Sequence, residues 1–309
     1  MDKYDVIVIG QGYAGLVAAG LCAKAGLCTA SFEQENFGGL ALNINHLDPS
    51  PARAVASGVE LVSELATENM ELGVVGVAAQ VTGIRREANG LFVVSSSDGD
   101  HAAPHVVVAA GARLRKLGVP GEEALHGRGV SYCADCDGPM FQGKEVVVVG
   151  GGDSAFQEAL ALTDYCSRIT LVYRGEVPRA RADLVQQVAA DARIEQLPGH
   201  VPTALVGSDG VSGVHLQDAA GGMCEIACSG VFVFVGLEPN SECVPPEVEK
   251  SDSGLIRTSA QCETSLPGLW AIGAVREGYG GMLSDAHPDA EAAVRAIQGR
   301  GRLARAAHT

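Results

Sequence analysis

An α/β fold with parallel sheets is what this sequence predicts, and three observations predict it. The run "YDVIVIG" reads as a buried strand and passes straight into "QGYAGLVAAGLCAKAG", a small-residue helix suited to lying close on a sheet. Far downstream the same grammar restarts in "KEVVVVGGGDSAFQEALAL": strand, glycine-rich turn, helix. The remaining apolar runs alternate between strand and helix patterns, as β-α-β units do.

Element by element, "LCTASFE" is a strand ending at Glu33. "DPSPARAVASGVELVSELATENM" reads as a helix started by Ser50 and Pro51, with Val55, Val59, Val62 and Ala66 at helical spacing. Strand-like pieces follow around residues 74–82, 91–95 and 105–110. After the second glycine turn come strands in "RITLVYR", "GVHLQD", "GVFVFVG" and "GLWAIGAV". "SDAHPDAEAAVRAIQGR" closes the chain as a helix starting near Pro288.

Bulk properties narrow the function. With 309 residues there is room for two domains, and 47% hydrophobic with 19% charged residues is ordinary for packed cores. A formal net charge of −15 argues against nucleic acid or an anionic membrane as partner. No apolar run reaches membrane-spanning length, and "MDKYDVIVIG" lacks the features of a secretory signal. Nine cysteines, an odd number without a regular framework, fit reduced thiols, so a soluble cytoplasmic protein is expected. The 40 glycines fit either loops around cofactors or a Gly- and Ala-biased genome.

The first glycine turn, Gly10-x-Gly12-x-x-Gly15, follows a strand and opens a helix. Gly10 allows the tight turn, Gly12 lets backbone touch a pyrophosphate, and Gly15 lets the helix pack on its strand. Glu33 stands 18 residues beyond Gly15, placed to bond a ribose hydroxyl. The second turn, Gly150-x-Gly152-x-x-Ala155, carries Asp153 and Ser154 at the helix start. Its following strand ends in Tyr173 and Arg174 instead of an acid, and Arg179 lies just beyond, which tilts this site towards a 2′-phosphate and NADP. Solvated surface arginines are the plainer alternative. Two such Rossmann-like units suggest two dinucleotides, one a held flavin and the other a diffusible nicotinamide.

Between them lies "SYCADCDGPMF", with Cys133 and Cys136 in a Cys-x-x-Cys and Asp137 directly after. From the residues alone these are half of a zinc site, buried bystanders or a working dithiol. Zinc would need Cys224 and Cys228, whose spacing is unremarkable; no metal is expected. A dithiol at a helix start lowers a thiol pKa and gives a thiolate able to attack a disulfide.

"GQGYAG", Glu33 followed by Gly38-Gly39, "CADCDG", "GGGDSAFQEAL", "VFVGLEPN" and "LWAIGAV" occur in the order found in low-molecular-weight thioredoxin reductases, and the chain resembles that family along essentially its whole length. The resemblance implies two Rossmann-like domains: an FAD domain of residues 1–114 and 244–309, and an NAD(P) domain with the dithiol, 115–243. It implies FAD on Gly10, Gly12, Gly15, Glu33, Gly38, Gly39, Ala110, Gly111 and Gly273, with the amides of Met282 and Leu283 at its pyrimidine edge. It implies NADPH on Gly150, Gly152, Asp153, Ser154, Ala155, Arg174 and Arg179. Electrons would run from NADPH through FAD to the dithiol; Cys136 would face the flavin, Cys133 would attack a partner disulfide, and Asp137 would manage the proton. A thioredoxin-like protein or a small-molecule disulfide or dithiol is the expected substrate, the expected assembly is a homodimer, and short hinges near "KLGVPGEE" and "GLEPNSE" would let the domains rotate.

Four departures from the family pattern stand out. "YRGEVPR" keeps Arg174 and Arg179 but has Tyr173 and Gly175 in place of a His and an Arg. Ala274 replaces the Asp that bonds the flavin's ribityl and pyrophosphate region. "AAGA" replaces "ATGA" at Ala109–Ala112. Gly281-Met282-Leu283 aligns with an Arg-Gln-Ala, and the following "SDAHPDA" brings in His287, a candidate proton carrier or simply a histidine near a helix start. Two alternatives remain open: a dithiol oxidase closing a disulfide in a small metabolite with oxygen as acceptor, and a non-catalytic flavin or nucleotide sensor.

Overall fold

The computed structural model describes residues 2–44, 47 and 55–306, with side chains for all of these except 301–306. Among them are six α-helices: α1 (Tyr13–Lys24), α2 (Gly58–Glu71), α3 (Ala134–Asp137), α4 (Asp153–Leu162), α5 (Ala182–Ala190) and α6 (Leu283–Ala306). The chain forms two compact units, one of Met1–Arg113 with Glu238–Thr309 and one of Leu114–Leu237.

The first unit is organised by a five-stranded, wholly parallel sheet. Its spatial order is Leu269–Ala271, His105–Val108, Val6–Ile9, Thr29–Glu33, Val75–Ala78. Side chains on a strand alternate between faces, and "VIVI" puts apolar groups on both. Val6 and Val8 join a core with Leu16, Leu61, Val62, Ala290 and Ala293 from α1, α2 and α6. Ile7 and Ile9 join the opposite core with Phe92, Val94 and Ile256. A four-stranded sheet, Asp2–Lys3, Gly99–Ala103, Phe92–Ser96 and Val81–Arg86, supplies Phe92 and Val94.

The second unit repeats the plan. A parallel sheet runs Val130–Ser131, Gly230–Val233, Glu145–Val149, Arg168–Tyr173, Ile194–Pro198. Val146 and Val148 face α4 and α5 through Phe156, Ala159, Leu162, Leu184 and Val188. Val147 and Val149 face Leu205, Val214 and Leu216 of an antiparallel sheet, His200–Gly207, Val211–Asp218 and Met223–Ala227. Where the chain passes from the first unit into the second and back, Ala112–Leu114 pairs with Leu237–Pro239 in a two-stranded ribbon.

Two helix starts differ from the sequence reading. α2 begins at Gly58, not at Pro51, and Ser50 and Pro51 lie outside the described residues. Ser57 caps it: its hydroxyl accepts the Glu60 N–H at 3.2 Å while Glu60 Oε2 accepts the Ala56 N–H at 2.9 Å. This reciprocal cap satisfies two orphan donors, more than a Ser-Pro pair supplies. Val55 therefore precedes the helix, Val59 is 49% exposed, and Leu61, Val62, Leu65 and Asn69 form the buried stripe. α6 begins at Leu283, so Pro288 sits inside its second turn. Asp285 fixes that start, its Oδ2 accepting the Met282 N–H at 3.0 Å and its N–H donating to the Met282 carbonyl at 3.0 Å.

Candidate functional site

Cys133 and Cys136 are joined to each other in a disulfide, with their Cα atoms 5.4 Å apart. Cys133 is the residue just before α3, and its Sγ accepts the Cys136 N–H at 3.2 Å. Ser131, ending a strand of the parallel sheet, accepts the Cys133 N–H on its hydroxyl at 3.2 Å. Ala134, fully buried, donates its N–H to Glu158 Oε2 of α4 at 2.7 Å. Burial pushes the Glu158 carboxyl above its usual range; the Ala134 hydrogen bond opposes the rise and the charge of Asp135 adds to it. Cys136 is exposed, while Cys133 and Asp137 are half-buried. Cys224 is exposed and Cys228 buried; both are free thiols. Among the described residues no group of three or more His, Cys, Asp and Glu side chains is arranged to hold a metal. The arrangement is that of a reachable disulfide that two electrons would open.

In the first unit the predicted glycines gather around the start of α1. A side chain on Gly15 would put a Cβ 1.9 Å from the Gly10 carbonyl oxygen, and one on Gly10 would meet the Ala109 carbonyl at 2.5 Å and the Ala110 Cα at 2.9 Å. Backbone contacts so close admit only glycine. Gly12 differs, since a Cβ there would face open space, with the Gly38 carbonyl 4.0 Å away. No side chain caps α1, so its first N–H groups are available to an anion. The Gly38 N–H donates to the Gln11 carbonyl at 2.6 Å, and Gly39 follows in the same turn. Glu33 takes the Gln11 N–H on Oε2 at 3.0 Å and the Gln34 N–H on Oε1 at 2.9 Å. Asn240 donates its side-chain amide to the Ala110 carbonyl (2.8 Å) and its N–H to that of Gly111 (3.0 Å). Gly273 comes so near that a Cβ on it would lie 2.9 Å from the Ala14 Cβ. An open glycine, uncapped helix amides and a carboxylate at the next strand end fit a dinucleotide such as FAD.

The second loop has the same construction. A Cβ on Gly150 would lie 2.2 Å from the Phe234 carbonyl and 2.8 Å from the Ala155 Cβ, which explains a small residue at both positions. Gly152 is open and α4 carries no side-chain cap. Asp153 opens α4, Ser154 beside it is exposed, and the Arg179 N–H donates to the Gly151 carbonyl at 2.7 Å. Arg174 and Arg179 hold their side chains in solvent. Tyr173 is buried in the sheet core with its hydroxyl on Gln196 at 3.1 Å, a packing residue where the family pattern has a histidine.

A family model described as pyridine nucleotide-disulphide oxidoreductase matches residues 4–308. The chain belongs to that family. It is 38% identical to a thioredoxin reductase of Treponema pallidum over 275 residues, covering 88% of this chain and 89% of that protein. It is 34% identical to the thioredoxin reductase of Bacillus subtilis over 297 residues, 96% of this chain and 94% of that one. The crystal structure of Lactococcus lactis thioredoxin reductase superposes with a TM-score of 0.88 at 33% identity, covering 96% and 98% of the two chains.

Several residues of this family member were invisible to motif reading. Asp289 of α6 is buried and takes the Gly273 N–H at 3.0 Å and two bonds from Arg276, each 2.6 Å. A carboxylate thus stands behind the turn that lacks one at Ala274. Arg181 donates its N–H to Asp153 Oδ1 at 2.8 Å and brings its Nε within 3.5 Å of Oδ2, countering the acid at the start of α4. Buried Glu122 accepts the N–H groups of Leu117 and Gly118 at 2.8 and 2.7 Å and the Tyr132 hydroxyl at 2.9 Å. His287 lies in the second turn of α6, its Nε2 3.5 Å from Glu291, on a cavity of about 170 Å³ shared with Tyr13, Leu16, Leu61 and Asn69. The Met282 N–H, expected at the flavin, here donates to Asp285; Leu283 opens the helix beside it.

Proposed function

We propose that this chain is an FAD-dependent thioredoxin-disulfide reductase, drawing electrons from NADPH and delivering them through Cys133 and Cys136 to the disulfide of a thioredoxin-like protein. The observation that carries the reading is the Cys133–Cys136 disulfide in a chain that matches thioredoxin reductases along most of its length. The relatives named above are reductases, and nothing among them supports the oxidase or the sensor.

FAD belongs on Gly10, Gly12, Gly15, Glu33, Gly38, Gly39, Ala110, Gly111 and Gly273, in the first unit. NADPH belongs on Gly150, Gly152, Asp153, Ser154, Ala155, Arg174 and Arg179, in the second. When bound, the flavin supplies two-electron transfer between the nicotinamide and the sulfur pair. The protein's own steps follow from its sulfurs. Once the internal disulfide is open, Cys133 as thiolate attacks one sulfur of the partner disulfide and expels the other, forming a mixed disulfide. Asp137 holds or returns the proton of the departing thiolate. Cys136 then attacks Cys133, restoring the internal bond and releasing the second partner thiol. Seven free cysteines, and the lack of any described helix long and apolar enough to cross a membrane, support work in the cytoplasm; a homodimer completes the reading.

A Cys133→Ser protein mixed anaerobically with NADPH should still lose its yellow colour yet reduce no thioredoxin disulfide. Full disulfide turnover by that variant would overturn the role of Cys133.

A further inference from the structure

We propose that Glu158 is a positioning residue for the dithiol, holding the Cys133–Cys136 turn through the Ala134 amide and keeping the thiol formed on reduction protonated until it is used. The inference deepens the reductase reading and rests on it.

Reduction of the disulfide takes up two electrons, supplied by the nicotinamide hydride, and two protons, giving two thiols; one must shed its proton before it attacks a partner. Sulfur at such a turn is acidified by nearby backbone N–H groups and positive ends of dipoles. Here that supply is divided. The Cys136 N–H points at Cys133 Sγ at 3.2 Å, but the Ala134 N–H, between the two cysteines, is taken by Glu158 Oε2 at 2.7 Å. Glu158 comes from α4, 24 residues away in sequence, and is half-buried, so solvent screens its charge only in part. A fixed carboxylate in that place both withdraws a stabilising amide and adds like charge, and each raises the pKa of the emerging thiol.

α3 contributes Asp135 and Asp137, both acids. From the preceding strand, Ser131 is neutral and the Tyr132 phenol is turned to Glu122, its own ionisation pushed up first by burial and then by that bond. Following α4, the Tyr165 ring packs at Gly138, where a Cβ would meet it at 2.6 Å. The acids of α3 and α4 at this turn are Asp135, Asp137 and Glu158, while farther along the packing Lys144 stands over the Phe141 ring at 5.7 Å and the His126 ring lies 5.9 Å from that of Tyr132.

Glu158→Gln keeps an oxygen to accept the Ala134 N–H and removes the charge, which separates electrostatics from architecture. Purified protein, reduced with a phosphine, is alkylated across pH 5–10, and modification at Cys133 and Cys136 is followed by peptide mass spectrometry. In Glu158→Gln the midpoint for the faster of the two should fall by about one pH unit, with up to roughly tenfold faster labelling at pH 6.5. Glu158→Ala should fall at least as far. An unchanged or raised midpoint in Glu158→Gln, whether or not Glu158→Ala folds, would overturn the proposal and leave Glu158 a purely architectural cap. Because the phosphine replaces NADPH and no thioredoxin is present, the assay gives its answer even if the reductase reading fails; turnover with thioredoxin tests that reading separately.

Discussion

Replacing Asp289 with Asn should loosen the turn around Gly273 and lower the stability of the first unit. The side chains of Asp289 and Arg276 are only 7% and 18% exposed, and two bonds of 2.6 Å join them. The same carboxylate accepts the Gly273 N–H at 3.0 Å. Asn retains the shape and one oxygen but strands a guanidinium with little water, and breaking a buried pair from one side costs about 3–5 kcal/mol. Allowing for the retained acceptor, about 3 kcal/mol is expected, a fall in Tm of roughly 5–10 °C for a chain of this size. Differential scanning calorimetry on the FAD-loaded protein would measure it, with flavin retention after gel filtration as a second readout. A double variant, Asp289→Asn with Arg276→Met, should recover part of the loss because no unpaired charge remains. A Tm within 1 °C of the unchanged protein, with flavin fully retained, would refute the idea that α6 supplies the carboxylate supporting this turn.

Two further outcomes are expected. Arg181→Ala leaves Asp153 unopposed at the start of α4, so KM for NADPH should rise about three- to tenfold with kcat little changed, measured by steady-state kinetics against NADH as control. Alkylation of the oxidised protein at pH 7.5 should label the exposed Cys28 and Cys224 and spare Cys22, Cys228 and Cys262, whose thiols burial pushes up to about 12, and Cys166 and Cys243, pushed up to about 11. Mass spectrometry of the labelled peptides decides it.

The glycine turns were legible in the sequence because their constraint is local and steric. Gly15 touches Gly10 and Ala155 touches Gly150, five residues apart, and no larger residue fits. The Cys-x-x-Cys was legible because its two sulfurs reach one another across one turn of chain. Asp289, Glu158 and Arg181 were not, since each acts on a partner 16, 24 or 28 residues away that only the folded sheet brings near. Proline does not mark the starts of α2 and α6. In α2 and α6 an acid three residues in, reaching back to an unpaired N–H, settled the boundary instead. The strands Gly99–Ala103 and Met223–Ala227 escape for a different reason: the first lies inside its sheet and the second on the margin of another, yet neither "GDHAA" nor "MCEIA" shows a clean alternation of apolar and polar residues.

Glu122 binds the chain's entry into its second unit to the residue just before Cys133. Both of its oxygens are occupied, Oε1 by the Leu117 amide and the Tyr132 phenol and Oε2 by the Gly118 amide. Movement of Tyr132 as the sulfurs part would therefore tug on Gly118 through a single acidic group. The stretch expected to flex is tethered to the stretch expected to react.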